Sequence, residues 1–270
     1  MEIIREFFGI GGYTRTPEGA YSWQHLTFVG AMLVLMTLLA VWLGRRYRNR
    51  DAAARNRVLI WAALLIDGAE LIKIGIACWS SAAGDNPWYD GILYNLPLVL
   101  CSIQLITIPL AAFAKGSLKQ ASMDFVAIFG LLGAVLGTVG AAQNYSNYPV
   151  LGFDNVVSGL THCISGFSAL YIFRAGMADM RSKDFPITAG VLLVFCGGAY
   201  GANLLLDYNY MFLMAGDGTP YDILYNLVGG SPVLYPLGVV ALFAVYISAF
   251  FGVFALMRRR QAAKNPATMT

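Results

Sequence analysis

One cysteine and one histidine in this sequence lie in apolar segments where they could act as a nucleophile and its base. Cys101 lies in "LYNLPLVLCSIQLITIPLAAFA", residues 93–114, and His162 is one of only two histidines, the other being His25. A thiolate is the reactive form of cysteine, and a nearby imidazole accepts its proton. A carboxylate can orient that imidazole, and Glu70 is the candidate. Attack of the thiol on an ester would form a thioester, which suits acyl transfer.

Each of these residues also has a purely structural interpretation. A free cysteine in apolar surroundings behaves as a small hydrophobe. A histidine inside a helical bundle can simply be hydrogen-bonded, and His25 stands where an interfacial polar residue is expected. A zinc site is a weaker interpretation, because Cys101, His162 and Cys163 lack the close ligand spacings of such sites. We therefore expect neither a metal ion nor a cofactor.

Membrane-spanning helices are the elements that would position these residues. The 270-residue chain is 58% hydrophobic and 12% charged, with a mean hydropathy of +0.62, whereas soluble domains have about 25% charged residues. Only helices and closed barrels satisfy every backbone group in lipid, and the apolar runs are too long and uniform for barrel strands. We therefore predict an all-α membrane protein, a bundle of seven transmembrane helices. The predicted spans cover residues 25–43, 58–79, 93–114, 121–142, 156–173, 187–206 and 233–257.

The placement of basic residues predicts the orientation of this bundle. Fifteen of the 18 lysines and arginines follow the first, third, fifth or seventh predicted span. By the positive-inside rule those segments are cytoplasmic, so the N-terminus is outside and the C-terminus is inside. Each cluster adjoins a span, so we expect no nucleic-acid partner.

The same reading divides the chain into three parts. They are an extracytoplasmic N-terminal segment 1–24, a seven-helix transmembrane domain 25–257 and a cytoplasmic basic tail 258–270. We find no pattern of a cleavable signal peptide, and we expect an integral, multi-pass protein of the bacterial inner membrane.

Three charged residues lie inside the second predicted span. Asp67, Glu70 and Lys73 are spaced three apart and so share one helix face. A charge at the centre of a span costs about 2.5–3.5 kcal/mol, so such residues usually face the bundle interior and have a function. The cluster indicates either an ion pair that fixes helix packing or the polar wall of a cavity.

The depth of the polar residues in their spans allows Cys101, His162 and Glu70 to meet. With a rise of about 1.5 Å per residue, they lie roughly 12, 9 and 13 Å from the outer ends of their spans. Other polar side chains of the outer half are candidates for binding a substrate headgroup. These predicted substrate-binding residues are His25, Lys73, Asn95, Gln104, Asn203 and Asn209.

Two segments of the chain resemble each other. "YDGILYNLPLVL" at residues 89–100 is similar to "YDILYNLVGGSPVL" at residues 221–234, and both approach a predicted span from the outside. Duplication of a half-bundle and chance similarity both account for the pair.

Several motifs, in this order, resemble a known family. They are "QHL" at the start of the first span, Glu70 ahead of Trp79, "LPLVLC", His162 and "NYMFL" at residues 209–213. Over about residues 25–236 they resemble the YwaF-like integral membrane proteins, a bacterial family similar to eukaryotic transmembrane protein 164.

This resemblance implies a seven-helix fold and a cysteine-dependent acyltransferase that moves fatty acyl chains between phospholipids. It implies Cys101 as the nucleophile, His162 as its partner and a phospholipid or lysophospholipid as substrate. Val99 stands where the resemblance leads us to expect a histidine, so this protein either relies on His162 alone as the base or has another function. The alternative is a seven-helix transporter or ligand-sensing protein that uses the intramembrane Asp/Glu/Lys cluster.

Overall fold

Every regular element in the computed structural model is a helix, across its described residues 2–83 and 86–264. In chain order the α-helices are α1 Glu2–Phe8, α2 Trp23–Tyr47, α3 Ala52–Ala83, α4 Asp90–Tyr94, α5 Gln104–Phe113, α6 Gly116–Leu136, α7 Ala142–Asn147, α8 Phe153–Arg174, α9 Phe185–Leu206, α10 Tyr221–Leu227 and α11 Leu234–Lys264.

Five helices of the described chain are long and apolar enough to cross a membrane, namely α2, α6, α8, α9 and α11. Helix α3 is longer, at 32 residues, but it carries Asp67, Glu70 and Lys73 near its middle. Helix α5 has only 10 residues, fewer than a span needs. The protein is thus an all-α, multi-pass membrane protein with five candidate spans, and the predicted count of seven stays a proposal.

The third predicted span is not the continuous helix that its apolar sequence suggested. Helix α4 ends at Tyr94, and the chain runs through turns until α5 begins at Gln104. Pro97 explains the break, because proline has no N–H to donate and disfavours the helical conformation of the residue before it. Cys101 therefore lies in a turn just before a helix and not inside one.

Helix α8 is the centre of the bundle and packs against α2, α3 and α6. Small residues let the backbones approach. A Cβ atom on Gly130 of α6 would lie 2.7 Å from the carbonyl oxygen of Ser165 in α8. Helices α6 and α8 are more than half buried, whereas α2, α9 and α11 expose most of their apolar surface, which is the surface that lipid would cover.

The two similar segments fold alike. "DGILY" forms α4 and "YDILYNL" forms α10, and each short helix is followed by a turn that leads into an apolar helix, α5 and α11. At the C-terminus, helix α11 continues into the predicted basic tail as far as Lys264, and residues 265–270 lie outside the described part of the chain.

Candidate active site

A cavity of about 760 Å³ lies between α3, the α4–α5 turn, α7, α8 and the loop that follows α9. Six of the predicted site residues line it: Glu70, Lys73, Asn95, Cys101, His162 and Asn209. The elements that contribute them are distant in sequence, so the tertiary fold brings these residues together.

The turn that carries Cys101 is held by Ser102. The Ser102 hydroxyl accepts a hydrogen bond from the Val99 N–H (3.1 Å) and donates one to the Val99 carbonyl oxygen (3.0 Å). Among the hydrogen bonds of the described residues, the backbone N–H groups of Cys101 and Ser102 have no acceptor. Both N–H groups lie close to the Cys101 sulfur. The turn therefore presents a thiol beside two N–H groups that have no backbone acceptor.

His162 is held in one tautomer by its own helix. Its Nδ1 lies 2.7 Å from the carbonyl oxygen of Ser158, one turn earlier in α8. A carbonyl oxygen only accepts, so Nδ1 carries a proton, and in the neutral imidazole Nε2 is the unprotonated nitrogen. Nε2 is buried and has no hydrogen-bond partner among the described residues. The imidazole is thus arranged as a free base.

The Cys101 and His162 side chains line the same cavity as neighbours. Both pack on one face of α6, a helical turn apart. A Cβ atom on Gly133 would touch the Cys101 Cβ atom at 3.6 Å, and one on Gly137 would overlap the His162 ring. Because Nδ1 is occupied by Ser158, Nε2 is the nitrogen left for the thiol. Among the described residues Nε2 has no hydrogen-bond partner, the Cys101 thiol included.

Glu70 lines the same cavity but does not orient the imidazole. Its carboxylate pairs with the Lys73 ammonium at 2.7 Å, while the partner of His162 Nδ1 is the Ser158 carbonyl. The predicted role of Glu70 as the orienting carboxylate is corrected accordingly. The i, i+3 spacing places the two charges side by side, and they form an ion-paired wall of the cavity.

The cavity is closed on one side by the loop after α9. Asn209 donates to the Ala215 carbonyl oxygen (2.8 Å) and accepts from the Met214 N–H (2.8 Å). Tyr210 donates through its hydroxyl to the Leu93 carbonyl oxygen (2.6 Å), which fastens the loop to α4. Asn95 donates to the Gly91 carbonyl oxygen (2.8 Å). Asn95 and Asn209 therefore shape the cavity as well as line it.

Three predicted substrate-binding residues, His25, Gln104 and Asn203, do not line the cavity. His25 is fully buried between the Tyr21 N–H and the Thr138 carbonyl. The Asn203 side chain bonds both backbone groups of Tyr210. The structure therefore places these three side chains away from the cavity, because depth in a span does not reveal which way a side chain faces, and their binding of substrate stays a prediction.

Sequence reasoning missed other cavity residues. The Ser158 carbonyl, Ser102, Tyr148 and Tyr208 all contribute to the site. Burial raises the pKa of Tyr148 and of Tyr208, so both phenols stay protonated hydrogen-bond donors at neutral pH. The i−4 spacing of Ser158 from His162 is a usable signal in the sequence, whereas nothing local marks the tyrosines.

The fold and this site define a class: multi-pass helical membrane proteins with a thiol and an imidazole facing each other in an internal polar cavity. The chain belongs to the TMEM164 family, whose model matches residues 20–264. This match confirms the resemblance to transmembrane protein 164, while the narrower YwaF-like grouping stays a prediction. No curated protein and no solved structure matches the sequence.

Proposed function

We propose that this protein is a membrane phospholipid acyltransferase or transacylase that works through a thioester on Cys101. One observation carries the proposal: Cys101 and His162 line the same cavity of about 760 Å³, and the Ser158 carbonyl accepts the hydrogen bond from Nδ1 of His162 so that Nε2 is the nitrogen available to the thiol. A positioned thiol–imidazole pair is the arrangement that nucleophilic acyl transfer requires. Membership of the TMEM164 family supports the proposal, since the resemblance to transmembrane protein 164 implied the same activity.

In the first half-reaction the Cys101 sulfur attacks the carbonyl carbon of a phospholipid ester, and His162 Nε2 takes the thiol proton. The tetrahedral intermediate collapses with cleavage of the ester C–O bond. The imidazolium returns its proton to the departing alkoxide, which leaves as the lysophospholipid hydroxyl. The acyl chain is then held as a thioester on Cys101.

In the second half-reaction the hydroxyl of an acceptor lysophospholipid attacks the thioester. His162 takes the hydroxyl proton and passes it to the departing sulfur, so the thiol is restored and a new ester is formed. Both tetrahedral intermediates carry an oxyanion. The free N–H groups of Cys101 and Ser102 are the donors that would stabilise it.

The experiment is acyl exchange by the purified, full-length protein in lipid vesicles. An isotope-labelled phospholipid serves as donor and an unlabelled lysophospholipid as acceptor. Mass spectrometry then follows both the labelled product and an acyl adduct on Cys101. We expect Cys101→Ala to lose turnover and adduct together. Cys196→Ala is the matched control, since Cys196 is buried and does not line the cavity. Full turnover by Cys101→Ala would overturn the proposal.

A transporter or ligand-sensing function is the second candidate, and the ion pair of Glu70 and Lys73 in the cavity wall favours it. Asp67, on the same helix, has a buried carboxylate oxygen with no partner among the described residues. Intramembrane charges of this kind mark ion or proton pathways. Proton-coupled uptake into liposomes that is lost in Glu70→Gln and kept in Cys101→Ala would select this function.

A further inference from the structure

The His162 ring rests against the end of α6. The helix ends at Leu136, and the Gly137 N–H still donates to the Gly133 carbonyl oxygen at 2.7 Å. A methyl group built on Gly137 would overlap the Cδ2 and Nε2 atoms of His162. Only a residue without a side chain leaves the imidazole room in this position.

The preceding turn of α6 leaves more room beside its neighbour. A methyl group on Gly133 would meet the Cβ atom of Cys101 at 3.6 Å, which is an ordinary van der Waals contact. The two glycines lie four residues apart and beneath the two reacting side chains. Position 137 therefore has to be glycine to leave room for the His162 ring, whereas position 133 has room for a methyl group beside Cys101.

The backbone that follows Gly137 is held by a hydrogen bond from His25. The carbonyl oxygen of Thr138 accepts a hydrogen bond from His25 Nε2 at 3.2 Å. His25 Nδ1 accepts from the Tyr21 N–H at 2.9 Å, so Nε2 is the nitrogen that carries the proton. The His25 ring also stacks on Tyr145, with the ring centroids 3.8 Å apart.

We propose that Gly137 and His25 are positioning residues for the Cys101–His162 pair. Gly137 leaves the space that lets the imidazole face the thiol, and His25 holds the end of α6 in place through the Thr138 carbonyl. The inference rests on the proposed function for its catalytic meaning. Its geometric content is that these two residues set the position of the His162 ring.

The test measures the reactivity of the Cys101 thiol and needs no lipid substrate. The full-length protein in detergent is alkylated with iodoacetamide over a range of pH, and site-resolved mass spectrometry reports the rate at Cys101 separately from the other three cysteines. A free thiol is only a few per cent thiolate at pH 7. We therefore expect Gly137→Ala and His162→Ala to slow alkylation of Cys101 at pH 7 by about tenfold or more. Gly133→Ala should keep the wild-type rate and pH profile.

A double substitution separates positioning from general misfolding. If the added methyl group acts mainly by colliding with the imidazole, Gly137→Ala lowers the melting temperature of the wild-type protein much more than that of His162→Ala, where the ring is absent and only the Gly133 carbonyl oxygen, 2.7 Å from the added carbon, is left to meet. This cycle stays informative if Gly137→Ala alone cannot be purified, because the double variant Gly137→Ala/His162→Ala should then be recovered. Equal destabilisation in both backgrounds overturns the assignment of Gly137.

His25 is tested by His25→Phe, which keeps a ring to stack on Tyr145 and removes the hydrogen bond to Thr138. We expect slower alkylation of Cys101 in a protein that remains folded, and an unchanged rate overturns the assignment of His25. The alkylation rates at Cys101 are measured independently of acyl exchange. If the alkylation pattern holds and acyl exchange is absent, the positioning inference stands and the proposed acyltransferase function fails.

Discussion

His162 shows how a backbone atom can take the part usually played by a carboxylate. The Ser158 carbonyl fixes the imidazole from within the same helix, so the base needs no partner from another helix. Glu70, which could have supplied a carboxylate, is paired with Lys73 instead. The orienting group is a peptide oxygen, and so it is insensitive to the identity of the side chain at position 158.

This arrangement predicts different outcomes for two substitutions one helical turn apart. Ser158→Ala keeps the peptide carbonyl, so we expect acyl exchange within a few-fold of wild type. His162→Ala removes the base, and loss of a general base typically costs about 10²–10⁴ in rate. The acyl-exchange assay measures both. Comparable losses in the two variants would contradict the role of the Ser158 carbonyl.

The Glu70–Lys73 pair predicts non-additive stability. The Glu70 side chain is 9% exposed and that of Lys73 is 16% exposed. Removing one partner of a buried pair costs about 3–5 kcal/mol, and the partial exposure of Lys73 reduces this to roughly 1–3 kcal/mol through solvent screening. We expect Glu70→Gln or Lys73→Met each to lower the melting temperature in detergent, and the double substitution to recover part of the loss. Additive losses would mean that the pair is not coupled.

At the scale of elements, the close approach of α6 and α8 holds the site together. Helix α8 carries His162, and the face of α6 lies beneath both reacting side chains. The approach depends on Gly130, where an added Cβ atom would lie 2.7 Å from the Ser165 carbonyl oxygen. Because that neighbour is backbone, the two helices would have to separate.

We therefore expect Gly130→Ala to destabilise the protein by about 1–3 kcal/mol, the usual cost of overpacking. Gly190→Ala in α9 is the control, because an added methyl group there meets open space and alanine favours the helix. Thermal unfolding of both variants in the same detergent measures the difference. Equal melting temperatures would show that the α6–α8 contact tolerates a methyl group.

At the scale of the whole molecule, the cavity lies beneath a loop with a constrained backbone. Asp207, Met211, Phe212 and Asp217 all have positive φ values without being glycine, and such conformations cost about 1–3 kcal/mol each and cluster at functional sites. Asn209 bonds within this loop to Ala215, and Tyr210 holds the loop against α4 through the Leu93 carbonyl oxygen. The opening of the cavity is thus built from a segment that the rest of the fold keeps in shape.

The distribution of basic residues predicts that this loop faces outward. We expect a membrane-impermeant thiol reagent to label Asp217→Cys in intact cells, in a background without native cysteines. Lys115→Cys, which lies between α5 and α6, should be labelled only after the membrane is opened. Asp217 lines the cavity, so the experiment also reports the side from which the cavity is reached. The reverse labelling pattern would invert the predicted topology.

The sequence by itself determined the class of fold and singled out the two residues proposed to react. Long apolar runs leave helices as the elements that satisfy the backbone in lipid, and Cys101 and His162 were singled out by their chemical types. It also located α2, α8 and α9 to within four residues and α6 and α11 to within seven, since hydrophobic length depends only on composition.

Only the tertiary structure decided which side chains face one another. It broke the third predicted helix at Pro97, placed Cys101 in a turn with free N–H donors, and brought His162 to it across the face of α6. It also gave His162 a hydrogen bond to the Ser158 carbonyl. His25 and Asn203 bond backbone groups of Thr138 and Tyr210 instead of lining the cavity. In a uniformly apolar helix the sequence does not indicate which side of the helix faces the bundle interior. The direction of each side chain is set instead by close contacts such as that between Gly137 and His162. Those contacts exist only between residues distant in the chain.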